Sequence, residues 1–258
     1  IVFQDFAGNT ARIRALAAQK HLHAYATDET LQQLFEAHGL AGRIAQTEGD
    51  YLLWVDANLA ALKTDHAIAR NLKLETVRSS GLRPGEVGRG NLGERKVTME
   101  YKHTGSFDWR TTRYLDYARL YVPVGAEITS VVITGKKGRI LSASEVDQGQ
   151  ELGKQWFGVF LTVEPGETVE AQFTYRLPNT ISDQIKSGLY TLLVQKQSGT
   201  ISHGLTLGLD FDTPIIAATP AEAQEEWGDE VYRVQADLRE DRGFEIKLEA
   251  PNSKSETN

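Results

Sequence analysis

The sequence predicts an α+β protein: a small N-terminal α/β segment followed by an antiparallel β-sandwich, immunoglobulin-like or similar. Three observations predict it. The first sixty residues carry helical spacing around one continuous apolar run. From about residue 67 the apolar period changes to two. Turn signals at Pro123 to Gly125, Gly135 to Gly138 and Glu164-Pro165-Gly166 then cut the chain into many short strands, the spacing of a two-sheet protein.

In the N-terminal segment, Asn9 or Thr10 is expected to cap a short helix carrying Ile13, Leu16 and Ala17. His21 to Tyr25 reads as a short strand. Thr27 is the expected N-cap of a second helix, with Asp28 and Glu29 suited to its dipole and Gly39 as its stop. Tyr51 to Val55 is an unbroken apolar run, the mark of a strand buried on both faces.

The strands that follow alternate cleanly. Val97, Met99 and Tyr101 share one face. So do Phe157, Val159, Leu161 and Val163, then Val169, Ala171, Phe173 and Tyr175, then Leu205, Leu207, Leu209 and Phe211. Residues 79–94 read as a glycine-rich loop and 213–226 as a linker or short helix. Val231 to Leu238 and Phe244 to Leu248 read as a hairpin turning at Asp241-Arg242-Gly243. The expected units are therefore an α/β segment over 1–66, belonging to a larger upstream domain, and a β-sandwich over 67–213. A linker with a C-terminal hairpin spans 214–250, and a disordered tail 251–258. If residues 1–66 are half of a split domain, apolar surface should be exposed around Leu53 or Phe35.

The 258 residues include 28 Lys and Arg against 35 Asp and Glu, a formal net charge of -7. That balance disfavours nucleic acid as a partner. The absence of cysteine rules out disulfides and thiolate metal sites. No apolar run approaches the roughly 18 residues of a membrane span. The chain opens Ile1-Val2-Phe3 without an initiator Met or a signal-peptide pattern, and is expected to be a fragment.

Three constellations could carry chemistry. Asp56-Ala57-Asn58 and Lys63-Thr64-Asp65-His66 follow the buried run. Asp56, Asn58 and Asp65 offer oxygens to a hard cation, and Lys63 could hold an anion or balance the acids. The bland alternative is that these residues pin a junction; the full calcium-loop pattern is absent. Second, Tyr117, Arg119 and Tyr121 share one strand face, with Phe107, Trp109 and Tyr114 nearby. That stripe could stack on sugar rings or on another protein, or could be a cross-strand packing ladder. Third, the six histidines, His21, His23, His38, His66, His103 and His203, read mainly as surface or satisfied residues. No cysteine nucleophile, Gly-x-Ser-x-Gly elbow or phosphate-binding glycine loop is present, so no catalytic residue is assigned.

Several stretches together resemble one family. They are Lys20 to Tyr25, Leu31 to Leu34, His38 to Gly42, Asp50 to Leu52, Val55 to Asn58, Lys63 to Asp65, Tyr114 to Gly125, Tyr175 to Pro178 and Tyr190 to Thr200. Among them, Asp56-Ala57-Asn58 and Gln195-Lys196-Gln197 are specific in combination. The chain resembles the C-terminal half of the bacterial "domain of unknown function 4012" proteins over residues 20 to 211. The resemblance implies an extracytoplasmic envelope protein anchored through an upstream N-terminal helix. It also implies an upstream part distantly similar to the LytR–CpsA–Psr glycopolymer ligases. It supplies no catalytic residue.

Three functions follow as expectations. The first is a non-catalytic cell-envelope module with a structural or binding role, its partner a cell-wall glycan or another envelope protein. The second is an accessory part of an envelope glycopolymer transferase. The third is a carbohydrate-binding module using Tyr117 and Tyr121. No cofactor is expected beyond an optional divalent cation.

Overall fold

A computed structural model describes residues 6–60, 62–77 and 94–249. They fold mostly into strands, in two mixed sheets with three helices. In spatial order the first sheet holds β12 (Ile215–Thr219), β14 (Arg242–Leu248), β10 (Leu189–Gln195), β1 (Asp50–Val55), β4 (Tyr114–Val122), β8 (Lys154–Val163) and β7 (Asp147–Glu151). The second holds β13 (Val231–Asp237), β11 (Gly204–Asp210), β2 (Ile68–Val77), β3 (Glu94–His103), β9 (Thr168–Arg176), β5 (Glu127–Ile133) and β6 (Arg139–Ser142).

The four alternating faces predicted from sequence are all buried. They meet in one apolar core contributed by both sheets: Trp54 stands edge-on to Phe173 at 5.2 Å, and Phe157 lies 6.2 Å from Tyr175. Side chains standing perpendicular to the pleat at period two produce this arrangement.

Several expectations need correction. The sheets are mixed rather than antiparallel, because β1 runs parallel to β10 and β2 parallel to β11. β1 does not stand apart in an N-terminal α/β segment: it is a central strand flanked by β10 and β4, which explains why Tyr51 to Trp54 are buried on both faces. The last two strands are not a hairpin. β13 adds to β11 in the second sheet, whereas β14 lies between β12 and β10 in the first. The 213–226 stretch is not only a linker, since it contains edge strand β12.

Local signals in the N-terminal segment were displaced by a few residues. Helix α1 (Phe6–Ala18) starts before Asn9, and His21 to Tyr25 carries no strand. Helix α2 (Glu29–Ala37) is capped by Asp28, which accepts from the Leu31 amide at 2.9 Å, rather than by Thr27. Gly39 ends it at φ +69, a conformation that suits glycine. Leu53 is buried in a small cluster with Tyr51 and Tyr121, against which Ile44, Ala45 and Leu193 pack, and Phe35 is half-buried. Among the described residues of this segment, the exposed apolar side chains are instead Ile13, Leu16, Leu22, Tyr25, Leu31, Leu34, Leu59 and Leu62. The third helix, α3 (Asn179–Lys186), docks Ile181 and Ile185 into the core. Residues 79–93 of the glycine-rich loop and the C-terminal tail lie outside the described residues, and Glu94 begins β3.

Candidate functional site

The inward-facing rows of β1, β2, β3 and β4 end in polar residues on one side of the core. β1 alternates Leu52 and Trp54 inward and delivers Asp56 just past its end. β2 alternates Ile68, Leu72 and Leu74 inward, with Arg70 at the same parity. β3 contributes Tyr101, and β4 contributes Tyr114 and Asp116. These groups form a closed network.

Arg70 Nε donates to Asp56 Oδ2 at 2.6 Å. Its Nη2 donates to Tyr114 Oη at 2.7 Å and to Asp65 Oδ1 at 3.0 Å, and its Nη1 reaches the Ile68 carbonyl at 3.3 Å. Asp56 Oδ1 accepts from Trp54 Nε1 at 2.8 Å and from the Tyr101 hydroxyl at 2.7 Å. Gln197 grips the Asp56 backbone at both ends, accepting from its amide at 3.0 Å and donating to its carbonyl at 2.9 Å. Asn58 donates to Asp65 Oδ2 at 2.9 Å.

Burial alone would lower the pKa of Arg70, but the Asp56 carboxylate and the two tyrosines outweigh it and hold the guanidinium charged. Asp116 goes the other way. Burial, reinforced by the adjacent Asp56 charge and hydrogen bond, raises its pKa well above the ordinary aspartate value and favours the protonated form. Its Oδ1 is buried without a partner. His203, turned inward beside this layer, is 4% exposed, and its Nε2 also lacks a partner. Burial, then the Arg70 charge, depresses its pKa to about 4, so the ring is neutral.

The predicted polar cluster therefore divides. Asp56, Asn58 and Asp65 converge as expected, but the cation between the two carboxylates is the guanidinium of Arg70. Among the described residues no group of three His, Asp or Glu side chains is arranged to hold a metal. Lys63 is exposed and does not line the cleft above the network. The sequence reading missed Arg70, Tyr101, Asp116 and Gln197 as members. Of the histidines, His103 is buried and satisfied: its Nε2–H donates to the Thr112 carbonyl at 2.8 Å and its Nδ1 accepts from the Gly105 amide at 3.1 Å. His23 pairs with Ser198 at 2.9 Å.

The aromatic stripe lies on the outer face of the first sheet. Tyr117 is the register partner of Phe160, with ring centroids 4.5 Å apart, and Tyr121 is the partner of Trp156. Arg119 lies over both Tyr121, at 5.6 Å, and Trp156, at 5.9 Å. Acids on β7 tether the stripe: Asp147 accepts from Tyr117 at 3.0 Å, and Glu151 accepts from Tyr121 at 2.5 Å and from Arg119 at 3.2 Å. Burial and then these hydrogen bonds push both tyrosines up to about 12. The stripe is thus a cross-strand ladder, with Phe160 54% exposed at its rim. Trp109 does not join it. It is 83% exposed on the loop before β4, stacked by Arg110 at 5.5 Å. Phe107, on the same loop, is exposed as well.

At the other end of the core a second arginine and aspartate face inward, Arg95 from β3 and Asp50 from β1. They do not form an ion pair: Arg95 is fully buried and donates through Nη1 to Thr76, but its Nε and Nη2 have no partner. Asp50 accepts from the Tyr190 hydroxyl at 2.7 Å, and burial raises its pKa despite the pull of Arg95.

No known protein family and no curated protein matches the chain. Among solved structures, it is similar to a candidate nutrient-binding protein from Legionella pneumophila, at 11% identity and a TM-score of 0.34, over 77% of this chain and 71% of that one. It is also similar to an M1 zinc metallopeptidase from Deinococcus radiodurans, at 11% identity and a TM-score of 0.22, over 70% of this chain and 42% of that one.

Proposed function

We propose that this chain is a non-catalytic, extracytoplasmic module of the cell envelope that binds through the outer face of its first sheet. The observation that carries this reading is the Tyr117–Phe160 pair beside Arg119 and Trp156. It is a flat aromatic and guanidinium surface of the kind that stacks on sugar rings or on a partner protein. The envelope location and an upstream membrane anchor rest on the family resemblance. No helix among the described residues is long and apolar enough to cross a membrane. The two sheets around one core are read as a sandwich. An immunoglobulin-like assignment would have to accommodate its two parallel strand pairs.

The transferase reading is weaker on a specific observation. A lipid-phosphate pocket needs free cationic donors, and four of the five Arg70 N–H groups are taken by Asp56, Asp65, Tyr114 and a backbone carbonyl. The test is a pull-down of the purified chain with isolated bacterial cell-wall glycans, beside a Tyr117→Ala, Phe160→Ala variant. Retention of the chain and its loss in the variant supports the reading. Equal retention of both, or of neither, moves the binding role elsewhere.

A further inference from the structure

Above the Arg70 network lies an open cleft of about 490 Å³, within the roughly 300–1,000 Å³ of small-molecule sites. One wall carries Asn58, Asp65 and His66. The other is the 198–202 loop, with Ser198, Thr200 and Ser202. Asp56, Arg70 and His203 lie beneath. We infer that this cleft binds the adjacent hydroxyls of a neutral sugar or polyol, a site separate from the aromatic face.

Charge selects against an anion. Among the side chains lining the cleft, Asp56 and Asp65 face one guanidinium, leaving an excess of one negative charge, and Arg70 has committed four of its five N–H donors. Acceptor capacity remains. Each Asp65 oxygen receives one hydrogen bond, from Arg70 or from Asn58, and a carboxylate can accept about four. Its side chain is 51% exposed, so those lone pairs are open to a ligand. Two neighbouring hydroxyls present two donors to such a carboxylate.

The opposite wall suits the same chemistry. Thr200 donates to the Gln197 carbonyl and keeps its oxygen lone pairs. The Ser198 hydroxyl pairs with His23 and the Ser202 hydroxyl donates to the His203 carbonyl, and each oxygen keeps a lone pair to accept from a sugar hydroxyl. Ile201, 75% exposed at the rim, offers an apolar surface to the carbon–hydrogen face of a ring. Beneath, the buried His203 ring is neutral, so it adds no positive charge to the floor. The walls are fixed in advance. Lys196 Nζ donates to the carbonyls of Gln197 and Thr200, and Gln197 holds the Asp56 backbone. Little ordering is then needed on binding.

Amide chemical shifts of the ¹⁵N-labelled chain, followed during titration with methyl glucoside and separately with glucuronate, test the inference. Saturable shifts confined to residues 58–70 and 197–204 are expected, with the neutral glycoside bound more tightly than its anionic counterpart. Asp65→Ala should weaken binding about tenfold, the loss of hydrogen bonds to a charged acceptor. Ile201→Ala, at a side chain 75% exposed, should weaken it by a smaller factor and carries the test if Asp65→Ala fails to fold. Absence of shifts in the cleft, tighter binding of glucuronate, or unchanged affinity in the folded variants overturns it. Shifts confined to Tyr117, Trp156 and Phe160 would overturn it while leaving the aromatic-face reading intact.

Discussion

Arg70 of the second sheet and Asp56 of the first meet across 2.6 Å, and both side chains are almost fully buried. This contact ties one sheet to the other at the polar end of the core. Removing one partner leaves an uncompensated buried charge. Arg70→Met should therefore destabilise the fold by about 3–5 kcal/mol. Arg70→Lys should not restore the loss, because one ammonium cannot serve Asp56, Asp65 and Tyr114 in that planar geometry. Urea unfolding of the three proteins checks both statements.

The two carboxyls of this layer should respond differently to the same change. The raised pKa of Asp116 favours its protonated form, and Asp116→Asn, a near isostere of that form, should cost less than about 1 kcal/mol. Asp56→Asn removes the counter-charge of Arg70 and should cost about 3–5 kcal/mol. Equal penalties in urea unfolding would contradict this difference between the two carboxyls.

His203 sets a pH dependence of known sign. Its folded pKa is about 4 against an ordinary value of 6.5, so the unfolded chain binds the extra proton first. The contribution to stability is fully present above pH 6.5 and is lost as pH falls towards 4, by about 3 kcal/mol over the window. Arg70, Asp56 and Lys196 also act on the ring. Asp116 works in the opposite direction, because its raised pKa makes its contribution fall as pH rises from 3.8. His203→Gln should flatten the decline between pH 6.5 and 4.5, and wild-type and variant unfolding curves at those two values measure it.

Gly158 makes room for Tyr117. A Cβ at 158 would lie 2.5 Å from the Tyr117 hydroxyl oxygen and 2.9 Å from the ring carbon that bears it. Gly158→Ala should cost about 1–3 kcal/mol through this overlap. In a Tyr117→Ala background the same substitution should cost much less, a coupling that a double-mutant cycle in urea resolves.

Much of this was legible in the sequence, and the failures have physical causes. Period-two faces such as Val97, Met99 and Tyr101 were readable because one side of each strand packs on the core. A charged residue on the apolar side of such a row was equally readable, and Arg70, Arg95 and Asp116 are all of that kind. It marks a buried polar network in advance, without naming the partner. Partners were not legible, since Asp56 meets Arg70 and Gln197 through non-local strand order. The C-terminal hairpin was misread for the same reason. Val231 to Asp237 and Arg242 to Leu248 have the right pattern and spacing, but sheet membership is decided by distant strands β11 and β10. The capping and strand assignments between residues 9 and 28 failed where few tertiary contacts enforce local propensity.

The parallel pairing of β1 with β10 bears on how the chain is made. Asp50 waits for Leu192 as its register neighbour, and Leu72 waits for Leu205. Synthesis is vectorial, so the early strands emerge long before either pairing can close, with apolar side chains and open edges exposed. Such distant pairing slows acquisition of the native state relative to a protein of neighbouring hairpins. A chain truncated before β10 would lack the partner of a central strand, and it should accumulate as aggregate rather than as a smaller folded unit.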